Sequence, residues 1–246
     1  MIHAYRLGFL ALLLLLWALA ARYMGGNVVP SPRATFLAAE RLIAEGRLLR
    51  ALGDSLTVYL SGYAIAVVVG VPLGILMGGF RVLGKTLEVY VFALAATPRV
   101  AFIPLIIVLL GLGVEAKMFI VFLGALMPVL INTYAGVLAA DDDLIEMARS
   151  VGAGRLRVFR SIVLPGAVPF VIVGMRLGAT IGLINTVVAE LYTAVKGLGG
   201  LLAIYGNTFR MAEYFVVVLT LALVGVTVTE CLRYLEQRVS RWRTLK

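Results

Sequence analysis

Cysteine is almost missing from this chain of 246 residues: Cys231 stands alone in an apolar run near the C-terminus. No disulfide can form within the chain, and thiolate metal chemistry has no cluster to build on. The single histidine, His3, is terminal and takes no role. Charged residues make up only 14% of the sequence, where soluble domains carry about 25%. Asp and Glu together number 13, and Glu88, Glu115 and Glu190 all fall near the ends of apolar runs. No acidic pair therefore sits at the middle of a hydrophobic segment, and no internal repeat is visible.

What is present is apolar. Hydrophobic residues make up 62% of the chain, and the mean hydropathy is +1.03. One soluble core cannot hide such a surplus, so lipid must solvate much of the surface. A bilayer needs about 20 apolar residues per spanning helix, which leaves room for five or six spans with short connections. The net charge of +9 would point to nucleic acid in a soluble protein. Here the basic residues gather at the ends of apolar runs, as orientation signals facing anionic lipid do, and nucleic-acid binding is not expected.

The first apolar run, Leu7 to Ala21 after Arg6, resembles a secretory signal down to the triplet Ala18-Leu19-Ala20. The competing reading, an uncleaved first span over residues 1–24 with its N-terminus in the cytoplasm, is the one expected. Residues 25–50 form an outer connection, with Pro30 and Pro32 followed by an amphipathic stretch from Thr35 to Leu49. Residues 51–236 form the core. Further spans are expected at about Leu56–Phe80, Leu87–Leu110 (broken by Pro98 and Pro104), Ala116–Ala139, Pro165–Tyr192 and Tyr214–Leu235. Residues 237–246 are a basic tail. This topology places twelve Lys and Arg in cytoplasmic segments and eight outside, a modest bias that the tail tips toward the inside.

Gly70, Gly74 and Gly78 recur four apart in the second span, on one helix face, where small residues let two backbones approach. Gly79-Phe80-Arg81-Val82-Leu83-Gly84-Lys85-Thr86 fits the phosphate-loop pattern. That loop needs a buried strand before it and a nucleotide-binding sheet around it. An apolar glycine-rich span precedes it here and another follows, so the match reads as a short cytoplasmic turn.

The informative segment is 141–164. Asp143 and Glu146 are spaced as an N-cap and its N3 partner. Leu144, Met147, Ala148 and Val151 then give an apolar face at helical spacing. Gly152-Ala153-Gly154 breaks that helix, and a basic turn with Arg155, Arg157 and Arg160 leads through Ile162, Val163 and Leu164 to Pro165. The product is a helix–turn–helix knuckle between two spans, suited to a groove in a partner or to an ordinary place at the membrane surface.

The knuckle resembles the cytoplasmic signature of ABC importer permeases: Glu-Ala-Ala, three residues, Gly, nine residues, Ile-x-Leu-Pro. In this chain it reads Glu146-Met147-Ala148, then Gly152, then Ile162-Val163-Leu164-Pro165, with Met147 the one departure. Pro98 to Leu112 and Gly197-Leu198-Gly199 are similar to the nitrate/sulfonate/taurine branch. The resemblance implies an all-α membrane bundle of about six spans, of the type I ABC importer permease kind. It also implies a homodimer, two cytoplasmic ATPase subunits and an extracytoplasmic binding protein, in an inner membrane. ATP and Mg would then be bound by the ATPase and no cofactor by this chain. Glu146, Met147, Ala148, Gly152, Arg155, Ile162, Leu164 and Pro165 would form the ATPase-coupling segment, and no residue would be catalytic.

Charged and polar groups inside spans are candidates for a solute path. Arg99, after Pro98, either meets an anionic solute or pairs with Glu88 or Glu190 to hold helices together. Asn185 and Glu190 in the fifth span are further candidates, and Arg176 is placed to brace the knuckle. Two other functions compete. An ion-coupled secondary transporter would want midplane acidic pairs and an inverted repeat. A scaffold that recruits a partner without transporting would share the same knuckle.

Overall fold

The computed structural model describes residues 2–193 and 196–239. The tail residues Arg241, Arg243 and Lys246, and the side chains of His3 and Arg238, lie outside that description. Among the described residues every regular element is helical. The chain divides into two compact units. One takes the chain up to Leu56 together with Glu190–Val224; the other takes Thr57–Ala189 and the chain from Gly225 onward.

In the first unit, α1 (Ile2–Met24) is a 23-residue apolar helix. The Trp17 indole donates to the Pro30 carbonyl at 2.9 Å and its ring stacks on Phe215 at 5.9 Å. α1 is therefore tied to the unit through Trp17, while most of its length is exposed. Helix α2 (Pro32–Ala44) opens with Ser31 as N-cap, its Oγ accepting from the Ala34 amide at 3.2 Å, and Pro32 fills the first turn. The amphipathic stretch thus ends earlier than Leu49. Helix α3 (Arg47–Gly79) begins nine residues before the expected Leu56 and runs straight through the boundary drawn at residue 50.

In the second unit α3 is followed by α4 (Arg81–Ala96) after the single extended residue Phe80. Gly84, Lys85 and Thr86 are helical, and Gly84 lies so close to the Met77 carbonyl that a Cβ would stand 2.3 Å from it. The segment that mimics a phosphate loop is thus a tight helix–helix corner with no amide cradle. Next comes a 3-10 turn over Arg99–Phe102 and then α5 (Ile103–Leu110). The stretch expected as one span is two helices meeting at 83°. Thr97 is driven extended by Pro98 behind it. Pro104, expected as a second break, sits in the first turn of α5, where a missing N–H goes unneeded.

Helix α6 (Val114–Leu138) is the middle of this unit: 56% of its span is buried, against 28% for α3. Gly70, Gly74 and Gly78 lie against Val129, Thr133 and Val137 of α6, with Cβ positions at 2.4–3.0 Å from those side chains. Such spacing permits a backbone-close crossing that any larger residue would push apart. Ala66, Met77, Ala125, Leu126, Leu130 and Tyr134 fill the core around it.

The knuckle is α7 (Asp142–Ser150) and α8 (Arg155–Val158), joined through a π turn at Phe159–Val163 to α9 (Leu164–Thr193). Counted together, Arg155–Thr193 is one 39-residue helix, so the helix that carries the fifth expected span begins well before Pro165. Pro165 cannot donate to the carbonyl four residues back, and the widened turn just before it accommodates the loss. Helix α10 (Leu198–Asn207) lies in the connection between the fifth and sixth expected spans, and α11 (Met211–Val239) is the last described helix. Among the described residues five helices, or six counting the bent pair, are long and apolar enough to cross a membrane.

Candidate functional site

The N-cap of α7 is Asp141, not Asp143. Its backbone is extended, and its Oδ1 accepts from the amides of Asp143 (3.0 Å) and Leu144 (3.3 Å). Three adjacent aspartates compete for the cap, and sequence alone does not pick the one with free amides two and three residues on. At the other end the Ala153 amide donates to the Ala148 carbonyl (3.0 Å) and the Gly152 amide to Arg149 (2.9 Å). That double bond pattern requires a left-handed residue between them, and Gly152 supplies it at φ +82° with open space around its Cα.

The knuckle is held from below and bare above. Ile145 and Phe159 pack on Val137, Val163 and Ala167. Leu144, Met147, Val151 and Leu156 are exposed, at 44, 60, 81 and 71%. Glu146, Gly152 and Arg155 are exposed as well, while Ala148, Ile162, Leu164 and Pro165 are half-buried. Leu144, Ile162 and Pro165 border a cleft of about 250 Å³. Among the described residues Arg149, Arg155, Arg157 and Arg160 form no ion pair. A short amphipathic helix with its apolar face turned outward is a surface made to be covered.

Arg99 follows a different logic. Its Nη1 donates to the Gly124 carbonyl at 3.2 Å and its Nη2 to the Ala95 carbonyl at 3.3 Å. Neither expected acidic partner is used: Glu88 instead accepts from the Tyr134 hydroxyl at 3.3 Å. Gly124 is also where Asn185 arrives from α9, its Nδ2 occupying the space a Cβ on Gly124 would need. Asn185 is buried and donates to the Ile181 carbonyl at 2.8 Å. The structure brings Arg99 and Asn185 together at one α6 glycine, with Pro98 setting the turn that carries Arg99. Arg176 pairs with Glu236 at 3.1 Å.

Glu190, grouped with these from sequence, belongs to the other unit. It is 1% exposed. The Ser55 hydroxyl donates to its carboxylate at 2.8 Å from each oxygen, and the Gly199 amide donates to Oε2 at 2.8 Å. Ser55 Oγ in turn accepts from the Leu198 amide at 2.8 Å. The first amides of α10, unsatisfied in any helix, are thus spoken for by one serine and one carboxylate. Gly197 turns the chain at φ +91°, and a Cβ there would fall 2.1 Å from the carboxylate. Ser55 and the α10 amides were not legible as partners from the sequence. The signal was Gly197-Leu198-Gly199, a bend followed by apolar residues of helix length. The arrangement ties Glu190 to the start of α10.

Comparisons with known proteins fit this geometry. Residues 70–241 match the family model described as binding-protein-dependent transport system inner membrane component. A protein of Escherichia coli (strain K12) provisionally assigned as an aliphatic sulfonates transport permease is 34% identical over 229 residues, covering 92% of this chain and 87% of the relative. The taurine transport system permease protein of the same organism is 28% identical over 243 residues, covering 96% and 88%. Among solved structures, the MetNI methionine ABC transporter in inward-facing conformations has a chain with TM-score 0.68 at 20% identity. The match covers 78% of this chain and 95% of that one, a likeness of fold.

Proposed function

The chain belongs to the binding-protein-dependent transport system inner membrane component family and is a permease subunit of an ABC importer, and we propose that it passes a small anionic solute of the sulfonate, taurine or nitrate class. Two copies of the chain would enclose the path within lipid. A pair of cytoplasmic ATPases would each grip one α7 knuckle, and a binding protein outside would deliver the solute. ATP and Mg belong to those ATPases. This chain hydrolyses nothing; it is a packing with two states, biased from outside.

The observation that carries the coupling role is the outward apolar face of α7, ended by Gly152 and anchored beneath by Ile145. A partner that closes on ATP can push on such a ridge, and the ridge transmits the push because α8, the π turn and α9 form one continuous helix. Arg99 and Asn185 are the groups proposed to meet the solute, since a guanidinium resting on carbonyls keeps its charge for an anion.

The test is uptake of taurine and an alkanesulfonate into proteoliposomes holding the permease, its ATPase and its binding protein. Arg99→Ala is expected to lower anion uptake by about tenfold or more, the worth of one charge-assisted hydrogen bond, with the ATPase still bound. Unchanged uptake by that variant removes Arg99 from the path. Absence of ATP-dependent uptake for every anion tried refutes the solute class.

A further inference from the structure

Both carbonyls that receive Arg99 have lost their helical donors. The Ala95 carbonyl lies in the last turn of α4, which ends at Ala96 ahead of Pro98, so no amide of its own helix reaches it. The Gly124 carbonyl sits in the middle of α6, where the amide four residues on would normally bind it. That residue is Pro128, which has no amide hydrogen. A carbonyl left bare inside a membrane bundle is costly unless another donor arrives, and the donor that arrives is Arg99 Nη1 at 3.2 Å.

From this pairing we infer that Pro128 is a positioning residue for Arg99: by withholding its amide from Gly124 it creates a neutral seat that fixes the guanidinium without cancelling its charge. The inference rests on the reading of Arg99 as a solute contact. A carboxylate in the same place would orient the side chain equally well and neutralise it. Two carbonyls at 3.2 and 3.3 Å hold it through long bonds, which the oxygens of a sulfonate or nitrate, paired in the guanidinium's own plane, outcompete. Gly124 contributes twice, through its carbonyl and through the absence of a side chain where Asn185 abuts. The proline ordinarily read as a helix kink is here the maker of an acceptor.

The logic yields a double-substitution test that does not depend on transport. Pro128→Ala restores an amide that satisfies Gly124 and so frees Arg99. Arg99→Met keeps an unbranched stem and removes every donor. In the native background Arg99→Met is expected to lower the thermal midpoint of the purified permease–ATPase complex by about 4–8 °C, the worth of two bare carbonyls in a chain this size. In the Pro128→Ala background the same change is expected to lower it by about half as much, because Gly124 is then satisfied and only the Ala95 carbonyl is left bare. Equal losses in both backgrounds overturn the inference.

A second arm measures ethanesulfonate moved per ATP hydrolysed by the reconstituted transporter. Pro128→Ala is expected to lower that ratio by about threefold, the loss of one modest hydrogen bond's worth of positioning, and to change nothing once Arg99 is Met. A fall in the double variant beyond that of Arg99→Met alone means Pro128 acts by bending α6, and overturns the inference. Coupled stability with ethanesulfonate uptake untouched by Arg99→Met supports the seat and refutes the solute contact on which its function rests.

Discussion

Glu190 in the first unit and Arg99 in the second are satisfied in opposite ways. In the first, Glu190 is sealed from solvent and saturated by short bonds from Ser55 and the Gly199 amide. The Arg210 guanidinium, above the ordinary arginine value because Glu213 accepts two hydrogen bonds from it, lies over the Tyr205 ring at 5.0 Å. In the second, Arg99 leans on two bare carbonyls, four knuckle arginines form no ion pair among the described residues, and the apolar face of α7 points outward. A charge in a membrane protein defaults to a functional suspicion. Here the degree of internal satisfaction sorts anchors from working groups: what is saturated holds shape, and what is left open is available to a partner or a solute.

The largest expected effect tests the saturated side. Glu190→Gln keeps the shape but sets an amide donor among the Ser55 hydroxyl and the Leu198 and Gly199 amides. A loss of about 2–3 kcal/mol is expected, the upper range for leaving a buried donor without its acceptor. It would appear as failure to accumulate or a steep fall in thermal stability of the purified permease. Gly197→Ala should reproduce it, since its Cβ would strike the carboxylate at 2.1 Å. If Glu190→Gln folds normally and loses only anion uptake, Glu190 belongs with Arg99 after all, and the contrast between the units fails.

A smaller effect tests the open side. Gly152 has nothing within 4 Å of a built Cβ, so substitution there meets no neighbour, only a left-handed backbone at φ +82°. Gly152→Val is expected to cost about 1–2 kcal/mol, confined to the end of α7, and to uncouple ATP hydrolysis from uptake while the spans stay folded. Gly152→Asn, whose side chain tolerates that backbone, should retain most of the coupling. Normal uptake by the valine variant would count against the docking role, and equal loss in both variants would assign the defect to bulk at the interface rather than to the turn.

Much of this was readable in advance, for identifiable reasons. Long apolar runs declare spans because lipid tolerates little else, and the knuckle stood out because Glu146, Gly152, Ile162, Leu164 and Pro165 keep fixed spacings on an otherwise apolar chain. Less legible was anything set by a carbonyl. That Arg99 would bind backbone rather than Glu88 depends on which acceptors Pro128 and Pro98 leave bare, a question posed by three-dimensional neighbours. Helix α10 was hidden by length: ten residues are too few for a span, and its cap is a buried carboxylate from α9 rather than a side chain beside it. Asp141 took the cap from Asp143 because adjacent aspartates look alike until the helix axis is known.

The smallest effect compares two helix ends of the same design. Helix α10 closes as α7 does, with the Arg210 amide on the Tyr205 carbonyl (2.9 Å) and the Phe209 amide on Gly206 (3.3 Å). Yet its left-handed position is held by Phe209 at φ +54°, with a side chain 76% exposed. A left-handed non-glycine costs about 1–2 kcal/mol, against which a glycine's looser unfolded chain costs about 0.5–1 kcal/mol. Phe209→Gly should therefore leave the purified permease as stable as before or up to about 1 kcal/mol more stable. The strain persists in the native chain because the doubly bonded Arg210–Glu213 pair clamps the residue that follows. If Phe209→Gly instead destabilises the protein in lipid but not in detergent, the exposed ring is in contact with the bilayer, and the first unit is less closed upon itself than its hydrogen bonds imply.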